Sequence, residues 1–272
     1  MALRLAVVFP GQGTVGGEVS GEVQEVVRRV IGSGEVRYQL SVFASSVDTF
    51  HGLEQKGVKP DVVAGHSLGE YAAAYAAGSL ALEDGVRLVA ERDRLMTEAS
   101  AENPGGMTAI IGVGAREVVD AVEAVDGAVV AANFNTPRQT VISGEKEALA
   151  LVAGRVGGKK RNLDVAGAFH SPLMQDAAVQ MTTLLSEVPL EDPKIPMISG
   201  VDGAILAKAD DVRLALKDQM LSPVHWVAVV GRFLLLGVEE VVEAGGGTLV
   251  RMFRDFEGVK IRGRVAKEVL AA

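Results

Sequence analysis

The chain has 272 residues, 48% of them hydrophobic, with a mean hydropathy of +0.25, enough for one large domain or a large domain carrying a small insert. Asp and Glu (35) outnumber Lys and Arg (27), giving a net charge of -8, which argues against nucleic acid as the main partner. Cysteine is absent, which removes disulfides and thiolate metal or redox chemistry. Leu3 to Phe9 is too short for a signal peptide, and no apolar run reaches transmembrane length, so a cytosolic protein is expected.

In chain order, Leu3 to Phe9 reads as a buried strand stopped by Pro10-Gly11. Strand and helix patterns then alternate to about Ala99, which argues for βα units and a parallel sheet. Asp61-Val62-Val63-Ala64 is a short apolar strand, and Glu70 to Ala77 is helix-forming. Leu82 to Ala99 has helical spacing, with Val86, Leu88, Val89, Leu95 and Met96 on one broad face. Asn103-Pro104-Gly105-Gly106 is a break. After it come a strand (Met107 to Val113), a helix (Arg116 to Val125), two strands (Ala128 to Asn133 and Gln139 to Ser143), a helix (Glu145 to Val156) and a strand (Lys159 to Val165). That β-α-β-β-α-β order is a split βαβ, or ferredoxin-like, unit. The predicted organisation is therefore an α/β core from residues 1–105 and 167–272, with a ferredoxin-like insert at 106–166. The second core segment reads as a helix (Leu173 to Leu185), a strand (Pro196 to Ser199), helices near Val212 to Met220 and Val224 to Leu236, a strand (Glu239 to Val242), the Gly245-Gly246-Gly247 turn and a final short helix.

The turn Gly65-His66-Ser67-Leu68-Gly69 between strand and helix is the context that a nucleophile elbow requires. Its glycines permit a sharp turn, and Ser67 falls at a helix N-terminus, where free N–H groups and the helix dipole favour the negative charge of an oxyanion. A serine nucleophile needs a base. His66 adjoins Ser67, and neighbouring side chains on such a turn diverge, so a structural role is the better reading. His51 lies in a polar stretch and is expected to be solvated. His170, in Gly167-Ala168-Phe169-His170-Ser171-Pro172, follows a predicted strand, where α/β folds place ligand groups. His225, ahead of Trp226 at a helix start, is the rival base. In that second reading the protein is a serine hydrolase using Ser67, an acid such as Asp202 or Asp210, and His225. The oxyanion donors would be the N–H groups of Leu68 and of the Gly11-Gln12-Gly13 turn. That turn opens Gly11-Gln12-Gly13-Thr14-Val15-Gly16, which satisfies G-x-G-x-x-G but lacks the helix start and ribose-binding acid of a dinucleotide site. From spacing alone, a surface ion pair with Asp93 or Glu91 is the better reading of Arg92. The other reading is a guanidinium that clamps a carboxylate inside an apolar pocket.

Together these residues resemble one family. Phe9-Pro10-Gly11-Gln12-Gly13, Gly65-His66-Ser67-Leu68-Gly69-Glu70, Arg92 with Met96, Asn135-x-Pro137-x-Gln139, Gly167 to Met174, Gln219 with Ser222-Pro223-Val224-x-Trp226, and Glu243-x-Gly245-x-Gly247 stand in the order seen in malonyl-CoA:acyl carrier protein transacylases. The resemblance implies a hydrolase-like α/β core with a ferredoxin-like insert and transfer of malonyl from CoA to the phosphopantetheine thiol of acyl carrier protein. It makes Ser67 the nucleophile and His170 the base, with the N–H groups of Gln12 and Leu68 as the oxyanion hole. Arg92 would grip the malonate carboxylate, and the main-chain carbonyl of Gln219 would orient His170. Asn135 would line the thioester-arm channel, and Phe169 would crowd an α-methyl group. No metal or cofactor is implied, since CoA and phosphopantetheine arrive with the substrates; the expected protein is a cytoplasmic monomer. Lys159-Lys160-Arg161 with Arg138 is a candidate docking patch for the acidic carrier protein, beside the plainer reading of a solvated edge strand. Thr14 and Val15 stand where Ser and Gln are usual, Gly246 where Pro is usual, and Gly16 to Gln39 is shorter than in typical members.

Overall fold

The computed structural model describes residues 4–13 and 19–272. The expected strand start at Leu3, the Thr14 and Val15 substitutions and the glycines at 16 and 17 lie outside them. The elements run β1 (Leu5–Phe9), α1 (Gly21–Ile31), α2 (Tyr38–Gln55), β2 (Val62–Gly65), α3 (Gly69–Ala76), α4 (Leu82–Glu102), β3 (Gly106–Ile111), α5 (Ala115–Glu123), β4 (Val129–Thr136), β5 (Gln139–Gly144), α6 (Lys146–Arg155), β6 (Lys159–Asn162), α7 (Gln175–Glu187), β7 (Met197–Ile198), β8 (Ile205–Leu206), α8 (Ala209–Asp218), α9 (Trp226–Leu236), β9 (Glu240–Glu243), α10 (Thr248–Met252), β10 (Arg262–Val265) and α11 (Ala266–Leu270). A 3-10 turn at Pro172–Met174 leads into α7.

Two sheets form. The larger has the order β10-β9-β1-β2-β7-β8. All its pairings are parallel except that of β8, which returns antiparallel on β7. β1 is central and buried on both faces, as a continuous apolar strand in a parallel sheet must be. Val7 and Phe9 face one layer, packing with α2, α3, α4 and α7. Ala6 and Val8 face the other, against Trp226, Val229 and Phe233 of α9. The register Phe9↔Gly65 sets the turn after β1 beside the turn after β2. Parallel strands end together, so the turns at Gly11, Gly65 and Ala244 gather on one edge, where open α/β sheets place ligands.

The strand–helix alternation expected to about Ala99 does not hold. Between β1 and β2 the described residues contain two helices in succession. Val23, Val26 and Val27 give α1 a single buried stripe, and α2 buries Leu40, Phe43, Val47, Phe50 and Leu53. Two strands went unpredicted. β8 has only two residues, and β10 is an Arg-Gly-Arg-Val edge strand with almost no apolar signal.

The second sheet is antiparallel, in the order β4-β5-β3-β6. α5 and α6 cover one face through Ile110, Val118, Ile142 and Val152. Met107, Ala109, Ala132 and Val141 on the other join the main core. The sheet is also stitched to the core by backbone, because Phe134 N–H donates to Val224 O at 2.8 Å and Val224 N–H to Ala132 O at 2.8 Å. No helix among the described residues is long and apolar enough to cross a membrane.

Candidate active site

The turn after β2 is bent as sharply as its glycines allow. A Cβ on Gly65 would stand 2.2 Å from Glu70 N, and one on Gly69 would stand 2.0 Å from Phe9 O. Ser67 lies between them with φ 52°, in the left-handed region. Leu68 is the N-cap of α3, so its N–H precedes the helix ladder and has no intrahelical acceptor. Gln12 sits in the turn directly after β1, and Gly13 N–H pins that turn by donating to the Tyr38 hydroxyl at 2.7 Å.

His170 reaches the elbow from the segment following β6, and it too is left-handed, at φ 57°. Its Nε2 lies 2.7 Å from Ser67 Oγ. Its Nδ1 lies 2.8 Å from Gln219 O and 3.1 Å from Ser222 O. Carbonyl oxygens only accept, so Nδ1 carries the hydrogen and Nε2 is a bare acceptor for the serine proton. Burial, and next the Arg92 cation, hold the His170 pKa down to about 4. The imidazole is thus neutral at physiological pH and able to take a proton. Among the described residues no carboxylate hydrogen-bonds to it.

Arg92 departs from the surface ion pair that its spacing alone favours. It falls on the inner face of α4 with Leu88, Val89, Leu95 and Met96, and it is 0% exposed. Arg94 takes Glu91 and Glu98 instead, while Asp93 accepts the Gln39 N–H. Arg92 Nη1 donates to Gln39 Oε1. Its Nη2 reaches Gln219 Oε1 at 3.3 Å and Ser67 Oγ at 3.4 Å, and its Nε has no hydrogen-bond partner among the described residues. Tyr71 presents its ring 5.9 Å from the guanidinium. Among the described residues its hydrogen-bond acceptors, Gln39, Ser67 and Gln219, are neutral. A buried cation without an anionic hydrogen-bond partner is costly, and an anion beside the serine would offset that cost.

His66 is structural: its Nε2 meets Asn135 Oδ1 at 2.9 Å, and Asn135 Nδ2 donates to Gln139 Oε1 at 2.9 Å. Asn135 therefore bridges the elbow to the second sheet, a contact its spacing did not suggest. Phe169 is buried beside His170. His225 stacks on Phe134, with ring centroids 4.6 Å apart, and Ser67 Oγ faces His170 instead. Asp202 accepts the Ala204 N–H in a turn, and Asp210 is exposed on α8. His51 is not merely solvated: it pairs with the Tyr75 hydroxyl at 2.6 Å. Lys159, Lys160 and Arg161 are exposed along the β6 edge.

Sequence reasoning missed two residues, Gln39 and Glu70. Gln39 lies on an otherwise apolar face of α2, a weak signal. Glu70 follows the elbow as an acid in a first helical turn, which reads as an ordinary dipole partner. It is instead 1% exposed, and burial pushes its carboxyl up to about 8, against the pull of the Gly200 amide.

A strand–elbow–helix serine paired with a buried neutral histidine is the arrangement of acyl-transfer proteins working through a serine ester. Residues 23–228 match the family described as the acyl transferase domain. The malonyl CoA-acyl carrier protein transacylase of Escherichia coli (strain K12) is 38% identical over 219 residues, 78% of this chain and 71% of that protein. The structure of the Synechocystis sp. PCC 6803 malonyl-CoA:ACP transacylase superposes with a TM-score of 0.90 over 99% of both chains, at 26% identity. A malonyl-transacylase solved with a type II PKS acyl-carrier protein gives 0.86 over 98% of each chain, at 29% identity. The chain belongs to the acyl transferase domain family.

Proposed function

We propose that this protein transfers the malonyl group from malonyl-CoA to the phosphopantetheine thiol of acyl carrier protein through an ester on Ser67. Ser67 Oγ attacks the thioester carbonyl as its proton passes to His170 Nε2. The oxyanion rests on the N–H groups of Leu68 and Gln12. The tetrahedral intermediate collapses with cleavage of the C–S bond, and the CoA sulfur leaves with the proton from Nε2. The phosphopantetheine thiol then gives its proton to Nε2 and attacks the ester. Ser67 departs and recovers that proton. Gln219 O holds the base in its tautomer throughout, so no aspartate is required.

The observation that carries this reading is Arg92, a fully buried cation with neutral acceptors 3.4 Å from the Ser67 hydroxyl. It suits an acyl group bearing a free carboxylate. Phe169 would disfavour an α-methyl branch, and Asn135 would border the thioester arm. The strand order β4-β5-β3-β6 supports reading residues 106–166 as a ferredoxin-like insert, and the larger sheet with its elbow supports a hydrolase-like core from 1–105 and 167–272. The reading carries with it a cytoplasmic monomer that acts without metal or cofactor and binds neither nucleic acid nor membrane. The test is intact-mass detection of malonyl on Ser67 after exposure to malonyl-CoA, then its loss to holo carrier protein faster than to water.

A further inference from the structure

The hydrogen bonds behind Arg92 and His170 converge on one residue. A guanidinium can only donate, so Gln219 must turn its Oε1 toward Arg92. That orientation sends Nε2 the other way, where it donates to Glu70 Oε2 at 2.9 Å. Glu70 Oε1 accepts the Gly200 N–H at 2.7 Å. Both carboxyl oxygens face donors from two separate loops, which is the hydrogen bonding of the ionised form, and with a pKa of about 8 that form prevails above pH 8. Gln219 follows the last turn of α8 and lies in no strand. Its main-chain carbonyl orients the histidine and its side-chain carbonyl orients the arginine. Glu70, three residues past the nucleophile, anchors it.

We propose that Glu70 is a positioning residue whose carboxylate locks the Gln219 amide, so that Arg92 presents its guanidinium to the acyl carboxylate and His170 keeps its acceptor. The proposal rests on the reading of Arg92 as a carboxylate clamp. Glutamine at position 70 would keep the volume but offer one acceptor and one donor to two donors. Either the Gly200 contact is lost or the Gln219 amide turns over. In the second case its NH₂ faces Arg92, two donors meet, and the clamp is displaced from its aim.

The experiment compares kcat/KM for malonyl-CoA and acetyl-CoA at about pH 9, where Glu70 is ionised, in the wild type, Glu70→Gln, Gln219→Leu and Arg92→Ala. Gln219→Leu breaks the relay at its other end while keeping the main-chain carbonyl. Expected is a fall in the malonyl-to-acetyl ratio on the order of tenfold for both relay variants, in line with the cost of slight misplacement, with acetyl transfer less affected. A packing role would lower both substrates by one factor and leave the ratio unchanged, which overturns the proposal. If Arg92→Ala keeps its malonyl preference, the clamp reading fails and takes the relay with it. If Arg92→Ala loses that preference while the relay variants stay within about twofold of wild type, the relay alone is wrong. Should Glu70→Gln fail to fold by circular dichroism, Gln219→Leu decides.

Discussion

Ser67 and His170 share a 2.7 Å hydrogen bond, and both hold left-handed backbone, at φ 52° and 57°. Among the described residues they are the two non-glycine positions in that region. Each such conformation costs about 1–3 kcal/mol unless its surroundings impose it. At Ser67 the glycines and the His66 N–H to Phe9 O bond impose it. At His170 the following Ser171 does, its hydroxyl donating to Ala168 O and accepting from Leu173 N–H. Strain thus sits on the two residues proposed to move the proton.

Replacing either partner should silence the site. Ser67→Ala is expected to take no malonyl by intact mass, and His170→Ala to lose about 10²–10⁴-fold in acylation rate. His225→Ala gives up only its stacking on Phe134, about 0.5–1.5 kcal/mol of stability, and should acylate at close to the wild-type rate. An inactive His225→Ala beside an active His170→Ala would return the serine hydrolase reading.

The pH profile should reflect burial. With the His170 pKa lowered to about 4, the base stays neutral as pH falls from 7 to 5. The acid limb of kcat/KM belongs near 4 rather than at the free-histidine value. Stability follows the same sign. The folded pKa lies below the unfolded one, so the contribution is complete above the unfolded value and is lost as pH falls through about 4. An acid limb at about 6.5 would contradict the neutral-histidine assignment.

Arg92→Ala should lose malonyl preference and accept acetyl-CoA better, because the acyl carboxylate then has no donor. A hydrogen bond to a charged group is worth about 1.5–3 kcal/mol, or roughly ten- to a hundredfold in kcat/KM. Arg92→Lys should recover only part of this, since an ammonium cannot span Gln39, Gln219 and a ligand with one planar fork. Steady-state rates with both acyl-CoAs decide it.

The exposed β6 edge is cationic, which makes it testable as a docking surface for the carrier protein. Ile111 pairs with both Gln139 and Lys159, so Arg138, next to Gln139, lies at the same end of the sheet as Lys159. Reversing Lys159, Lys160 and Arg161 to Glu should raise KM for carrier protein several-fold, most strongly at low salt. Ser67 acylation by malonyl-CoA should stay unchanged. An unaltered KM would leave β6 as a solvated edge.

Much of the candidate site is legible in the sequence because its signals are local. An elbow is a five-residue turn between a strand and a helix, and a base in a loop after a strand is a positional rule. The helical pair before β2 and the edge strands β8 and β10 were harder to read. Edge strands are short or charged, and their pairing is set by the neighbouring strand more than by their own apolar content.

The sequence by itself singled out Ser67, the candidate bases His170 and His225, the Gly11-Gln12-Gly13 turn and the order of the elements between 106 and 166, since each depends on a few adjacent residues or on periodicity. The fate of Arg92 was decided only in three dimensions. Its neighbours in sequence offered Asp93 and Glu91, but the rotation of α4 turned it inward and gave those partners to Gln39 and Arg94. The Glu70–Gln219 contact spans 149 positions. No local pattern encodes such a pairing, because it exists only once α3 and the end of α8 have packed around the same buried centre.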